Sequence, residues 1–132
     1  MTTKTLLTAS AVFLAVLGIV CTFIPQELLG FMGIDAPDEV VLLVQIIGAL
    51  YLGFATLNWM LRSTPMGGIY GRPLGMSNFL HFVVAGIPIL RAGLTDGQSP
   101  VIWILAGGYA LLALGFGWVL FAGSPARKEA AV

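Results

Sequence analysis

The polar side chains of this chain concentrate in one stretch, NWMLRSTPMGGIYGRPLGMSNFLHF, which covers residues 58–82. It holds two asparagines, two arginines and the single histidine of a chain that is 58% hydrophobic. In a helix, Asn78 and His81 share one face because they are three residues apart. An amide and an imidazole on one face can hold a polar headgroup by hydrogen bonds. A histidine also titrates at about pH 6.5, which would permit proton-linked behaviour.

A second polar face precedes this one, because Tyr51, Asn58 and Arg62 are spaced seven and four residues apart. Counted inward from the nearest arginine, Asn58 lies about 6 Å deep and Asn78 about 9 Å deep. Polar groups in hydrocarbon need partners, so the two faces are expected to turn toward each other. The alternative is that these amides only hydrogen-bond between spans, as asparagines often do. The predicted ligand-binding residues are Tyr51, Asn58, Arg62, Arg72, Asn78 and His81.

The loop STPMGGIYGRP, residues 63–73, separates the two faces. Its glycines allow backbone N–H groups to converge on an anion, and Arg72 adds positive charge. The phosphate of an anionic lipid would suit such a loop. The loop follows no strand and matches no phosphate-binding fingerprint, and the alternative is that its glycines and prolines simply form a turn.

The composition indicates which kind of secondary structure must position these polar side chains. Charged residues make up 9% of the chain and the mean hydropathy is +0.99, whereas soluble domains carry about 25% charge. Four apolar runs approach the roughly 20 residues that cross a bilayer. They cover residues 5–24, 40–61, 74–90 and 101–122. Lipid-exposed backbone must satisfy its own hydrogen bonds, so the runs should be helices.

The predicted fold is all-α, an integral membrane antiparallel four-helix bundle that forms one transmembrane domain over residues 1–132. A short interfacial helix is expected within residues 25–38, and residues 123–132 should form a tail. Ser99 and Pro100 are placed to act as N-cap and first residue of the fourth span. Small residues at four- and three-residue spacing predict helix contact faces. They are Ala11, Ala15, Gly18 and Thr22 in span one, and Ala106, Ala110, Ala113 and Gly117 in span four.

The charges predict the orientation of the spans. Four crossings put Lys4, Arg62, Arg72, Arg127 and Lys128 on one side of the membrane. The other side receives Glu27, Asp35, Asp38, Glu39, Asp96 and one basic residue, Arg91. Basic residues are retained in the cytoplasm during insertion, so both termini should be cytoplasmic.

Several kinds of chemistry are disfavoured. No acidic residue lies inside a run, whereas proton-coupled antiporters usually need a carboxylate in the membrane. The single cysteine, Cys21, cannot form an intrachain disulfide relay. One histidine cannot supply two axial haem ligands within one chain, and no metal-ligand set is present. We therefore assign no catalytic residue, metal or cofactor, and an enzyme is disfavoured without being excluded.

Three segments carry a resemblance across nearly the whole chain: FIPQELLGFMGI, ALYLGFATLNWM and GGIYGRPLGMSNFLHF. In their order they resemble a group of small, uncharacterised bacterial four-span proteins, similar in architecture to the broader DoxX-like membrane families. The resemblance implies a four-helix bundle in the bacterial inner membrane and no assigned catalytic residue.

The first functional hypothesis is a non-enzymatic membrane protein that binds a lipid, a quinone-like molecule or a partner subunit near the cytoplasmic leaflet. One alternative is a small oligomeric transporter or channel with His81 on its pathway. Another is an accessory subunit of a larger membrane complex. Membrane lipids, further copies of the chain or other subunits are the expected partners, and the formal net charge of zero gives no reason to expect nucleic acid.

Overall fold

The computed structural model describes residues 2–96 and 99–122, and helices dominate this part of the chain. The helices are α1 (Thr3–Phe23), α2 (Pro25–Phe31), α3 (Asp38–Met60), α4 (Gly71–Asp96) and α5 (Pro100–Gly117), and α5 continues as a π-helical turn at Trp118–Ala122. No strand occurs in the described residues. The all-α class is confirmed, and so is the short helix after the first span. Whether α2 lies in the membrane interface stays a prediction.

Four of the helices, α1, α3, α4 and α5, are long and apolar enough to cross a membrane. Their outward faces carry large apolar side chains, for example Leu50 on α3, which is 64% exposed, and Leu114 on α5, which is 75% exposed. Such faces would be costly in water and suit a hydrocarbon surrounding. These features indicate a multi-pass membrane protein.

The chain divides into two compact units. The N-terminal unit is Leu7–Met60, with most of α1 and all of α2 and α3. The C-terminal unit contains the described residues of Met1–Leu6 and Leu61–Val132, with α4 and α5. The predicted tail, residues 123–132, lies outside the described residues, as do residues 97 and 98 of the predicted connection between spans three and four.

Helix α4 is longer at both ends than the predicted third span, residues 74–90. Pro73 lies in its first turn, where a missing backbone N–H costs nothing. At the other end, α4 continues past Arg91. A charged side chain affects how deep a residue can lie in the membrane, but it does not change the backbone geometry that a helix requires. The Thr95 hydroxyl donates to the Arg91 carbonyl at 2.9 Å within this extension.

The start of α5 corrects one detail of the prediction. Ser99 occupies the N-cap position and Pro100 follows it in the first turn. The Ser99 hydroxyl makes no capping hydrogen bond. The Ser99 backbone carbonyl instead accepts from the Ile102 amide at 3.2 Å. The residue therefore marks the helix start through its extended backbone, not through its side chain.

In the N-terminal unit, α1 and α3 approach closely along the predicted face of α1. A Cβ added at Gly18 would lie 2.7 Å from Cγ of Leu52, and one added at Gly48 would lie 2.8 Å from the backbone nitrogen of Thr22. The Gln45 side-chain amide donates to the Thr22 carbonyl at 3.3 Å. The small residues of span one thus form a contact face with α3.

In the C-terminal unit, α4 packs against α5, and the buried face of α5 matches the predicted stripe only in part. Ala110 of the predicted stripe is exposed. The buried positions are Ala106, Tyr109, Leu112 and Phe116. The buried face of α5 thus combines one small residue of the stripe with larger side chains, two of them aromatic.

Candidate functional site

An open pocket of about 430 Å³ lies where the loop after α3 meets the start of α4. Arg72 lines this pocket, as does the loop at Gly67 and Gly68. The remaining lining is apolar, from Ile69, Pro73 and Met76. A lining that combines one cation with apolar side chains suits an amphipathic ligand.

The loop reaches this shape through two turns and one close approach. The Gly68 amide donates to the Pro65 carbonyl at 3.1 Å, and the Arg72 amide donates to the Gly68 carbonyl at 3.1 Å. At Gly71 an added Cβ would collide with the Pro65 carbonyl and lie 2.8 Å from Cα of Met66. Only glycine allows the loop to fold back this tightly, and this places Arg72 at the pocket.

The histidine predicted as a site residue is paired with a tyrosine of α5. Nε2 of His81 lies 3.4 Å from the hydroxyl oxygen of Tyr109, a long hydrogen bond whose direction depends on the histidine tautomer. Tyr109 is fully enclosed, with 1% of its surface exposed, and His81 is half-buried. A buried tyrosine hydroxyl needs a hydrogen-bond partner, and His81 fills that role for Tyr109.

Apolar rings surround this pair. The rings of Phe82 and Tyr109 meet edge to face at 5.3 Å, and those of Phe82 and Phe116 stack at 5.9 Å. The His81 ring lies 5.0 Å from that of Phe82 and 5.6 Å from that of Tyr109. Phe82 and Phe116 have no exposed surface. The imidazole is thus held in an aromatic cluster formed by His81, Phe82, Tyr109 and Phe116.

The two asparagines are both completely buried. Nδ2 of Asn78 donates to the Leu74 carbonyl of its own helix at 2.9 Å. Nδ2 of Asn58 donates to the Ser10 hydroxyl at 3.0 Å, and this hydroxyl in turn donates to the Leu7 carbonyl at 3.0 Å. The Asn58 bond joins α3 to α1 within the N-terminal unit.

Ser10 is not among the residues predicted from the sequence, although the sequence contains a signal for it. It lies six residues after Lys4, about 9 Å inward. Asn58 lies about 6 Å inward from Arg62 on the next long helix. Similar depths on consecutive spans make Ser10 a candidate partner of Asn58. A single serine in an apolar run is nevertheless a weak signal.

The Ser10–Asn58 bond should contribute measurable stability. Replacing Ser10 by alanine leaves the Asn58 amide without this acceptor, and cycles in another membrane protein average about 0.6 kcal/mol with a maximum of about 1.7 kcal/mol. We expect a coupling energy in that range from the cycle of Ser10→Ala, Asn58→Leu and the double variant. Unfolding in mixed detergent micelles measures each free energy.

The matched control for this cycle is Thr56→Val on α3. The Thr56 hydroxyl donates to the Leu52 carbonyl of the same helix at 2.8 Å, so its removal should cost little. A Ser10–Asn58 coupling energy of zero, with both single variants folded, would show that the bond contributes nothing between the helices.

The six predicted ligand-binding residues are distributed over both units. Tyr51 and Asn58 belong to the N-terminal unit, and the other four belong to the C-terminal unit. Tyr51 and Arg62 are half-buried, and Arg72 is exposed at its pocket. Within their own units, Asn58, Asn78 and His81 make hydrogen bonds with Ser10, Leu74 and Tyr109, respectively. A single pocket formed by all six residues stays a prediction.

Comparison with known proteins adds no relative: no protein-family model, curated protein or solved structure matches this chain.

Proposed function

We propose that this protein is a non-enzymatic integral membrane protein that binds an anionic, lipid-like amphiphile in the pocket beside Arg72. The observation that carries the proposal is the composition of the pocket lining. Arg72 offers a positive charge, and Ile69 and Met76 offer apolar surface in the same 430 Å³. A molecule with an acidic headgroup and a hydrocarbon tail matches both parts.

The arginine favours a phosphate over a neutral headgroup. A guanidinium presents its N–H donors in a planar fork that matches two phosphate oxygens at once. Charge-assisted hydrogen bonds of this kind are stronger than neutral ones. The pocket is open, as a headgroup site on a bilayer surface must be, because the ligand remains partly within the membrane.

The residues around the pocket support a position at the membrane interface. Ile69 and Tyr70 are 87% and 73% exposed and lie just before α4, a helix long enough to span the bilayer. Tyrosine is enriched at the level of lipid headgroups. The excess of basic residues on this side favours the cytoplasmic leaflet of a bacterial inner membrane, with both termini in the cytoplasm.

In this proposal, Asn78 and His81 anchor the C-terminal unit and do not contact the headgroup. The support is that Asn78 donates within its own helix and His81 lies among aromatic rings. Apolar rings around His81 also favour a packing role over a hydrated ion pathway. The transporter, the accessory subunit and the quinone-like ligand stay predictions, as does the DoxX-like resemblance.

Replacing Arg72 by glutamine should weaken binding of dioctanoylphosphatidylglycerol by at least about tenfold, because hydrogen bonds to charged groups contribute about 1.5–3 kcal/mol. The affinity of Arg72→Lys should lie between those of the unaltered protein and Arg72→Gln, since lysine retains the charge and lacks the planar, forked N–H donors of the guanidinium. Native mass spectrometry of the detergent-solubilised protein measures the affinity. Dioctanoylphosphatidylcholine serves as the zwitterionic comparison and should bind more weakly to the unaltered protein.

Arg91→Gln is the matched control, because it removes the same charge from the same helix about 28 Å further along. Arg91 is also exposed, so both variants should fold. Equal loss of binding in the two variants would indicate a general charge effect and no site. Equal affinity of the unaltered protein for both lipids would refute an anionic headgroup.

A further inference from the structure

Two glycines at the start of α4, Gly71 and Gly75, are buried and share one face of the helix because they are four residues apart. A Cβ added at Gly71 would lie 2.8 Å from Cα of Met66, and one added at Gly75 would lie 2.9 Å from Sδ of Met66. The backbone of Met66 therefore lies against the first glycine, and its thioether lies against the second. A side chain at either glycine would occupy space that Met66 fills.

The π-helical turn at the end of α5 meets Met66 at the same point. Cδ2 of Leu120, which belongs to this turn, would lie 3.0 Å from the Cβ added at Gly75. The ring of Phe121 in the same turn meets the Phe79 ring of α4 edge to face at 5.5 Å, so the turn packs against α4. The Met66 thioether thus lies where α4 and the end of α5 come together.

Met66 carries the one side chain of residues 65–70 that is not exposed. Pro65, Ile69 and Tyr70 are exposed, residues 67 and 68 are glycines, and Met66 is half-buried. Glycine has more backbone freedom than any other residue, so the position of a glycine pair depends on what holds its neighbours. In this segment the neighbour with a packed side chain is Met66.

The glycine pair that follows Met66 belongs to the pocket beside Arg72. Gly67 and Gly68 line this pocket, and so do Arg72 and Met76 of α4. Arg72 and Met76 each directly follow one of the two glycines that contact Met66, which places them about 100° further around the helix. The same short stretch of α4 therefore holds Met66 on one face and lines the pocket on the next, so the placement of Met66 sets how the loop lies relative to Arg72.

From these contacts we infer that Met66 is the positioning residue of the headgroup pocket: its thioether, packed between Gly75 and Leu120, holds the loop in the shape that binds an anionic headgroup. This inference rests on the proposed function and names the side chain that keeps its site formed before the ligand arrives. A loop already in the binding shape loses less conformational entropy when the ligand binds. Methionine suits the role, because its unbranched thioether fills irregular gaps.

Met66→Ala tests this inference in the detergent-solubilised full chain. The shorter side chain no longer reaches Gly75, so the amides of residues 67–72 should exchange with deuterium faster, as measured by mass spectrometry. The amides of α5 should exchange as they do in the unaltered protein. The affinity for dioctanoylphosphatidylglycerol should fall by about fivefold, which corresponds to a loop that occupies the binding shape about one fifth of the time.

Two further variants serve as controls. Met66→Leu should retain both the slow exchange and the affinity, since leucine and methionine replace each other in packed sites at little cost. Met60→Ala should change neither measurement, because Met60 is 73% exposed and lies outside the pocket lining.

The outcomes separate this inference from the proposed function. If the unaltered protein binds dioctanoylphosphatidylglycerol and Met66→Ala leaves either the loop exchange or the affinity unchanged, the inference is overturned and the proposed function stands. If the unaltered protein does not prefer this lipid over dioctanoylphosphatidylcholine, the proposed function fails and the inference falls with it.

Discussion

Phe82→Ala is expected to produce the largest loss of stability of any change considered for the C-terminal unit. Phe82 has no exposed surface, and its ring contacts those of His81, Tyr109 and Phe116. Phenylalanine-to-alanine changes in protein cores cost about 3–5 kcal/mol. We expect about 3 kcal/mol, at the lower end, because an unfolded span in a membrane still surrounds the phenyl ring with apolar material. Unfolding in mixed detergent micelles measures the difference.

A neighbouring residue supplies the control for this prediction. Leu80 lies two residues earlier on α4 and is 52% exposed, so Leu80→Ala should change the free energy of unfolding little. The histidine provides a second readout, since loss of the Phe82 ring should shift the His81 ring signals in a nuclear magnetic resonance spectrum. A loss of stability equal to that of Leu80→Ala would show that the aromatic cluster does not hold the unit together.

Gly48→Ala should destabilise the N-terminal unit by about 1–3 kcal/mol, the usual cost of an added methyl group in a filled core. The new Cβ would collide with the Thr22 hydroxyl and lie 2.8 Å from the Thr22 backbone nitrogen and 2.9 Å from Cβ of Cys21. A backbone atom cannot rotate away, so α1 and α3 must separate. The measurement is the same micelle unfolding assay.

Gly53→Ala tests whether the loss of stability depends on where in α3 a glycine is replaced by alanine. Gly53 lies on the same helix, and a Cβ there meets no atom within 4 Å. Alanine is the better helix former by about 0.8–1.0 kcal/mol, so this variant should be neutral or slightly more stable. If the two alanine variants unfold at the same detergent fraction, the close approach at Gly48 is not limiting.

The membrane helices could be predicted because the signals for them are local. Apolar composition and length depend only on consecutive residues, and in lipid a backbone that must satisfy itself leaves the helix as the available form. The apolar run at residues 40–61 predicts one such helix, and α3 covers Asp38–Met60. The loop of residues 63–73 can also be recognised in the sequence, since its glycines and Arg72 stand out in an apolar chain.

The inward faces of those helices could not be predicted as reliably. In a span that is apolar on every side, hydropathy does not distinguish the buried face from the lipid face. For this reason the spacing of small residues predicts a contact at Ala110, which is exposed, whereas the buried residues of α5 are Ala106, Tyr109, Leu112 and Phe116. Burial there follows from the shapes of the facing side chains.

The sequence by itself determined the class of this protein, its four long apolar helices and the segment that carries its polar groups. Only the tertiary structure decided the partners of those groups, joining Asn58 to Ser10 and His81 to Tyr109. The physical reason is the sequence separation of the residues that interact. Helix formation in lipid depends on neighbours a few residues apart, whereas the Asn58–Ser10 bond joins side chains 48 residues apart that meet only when two helices pack.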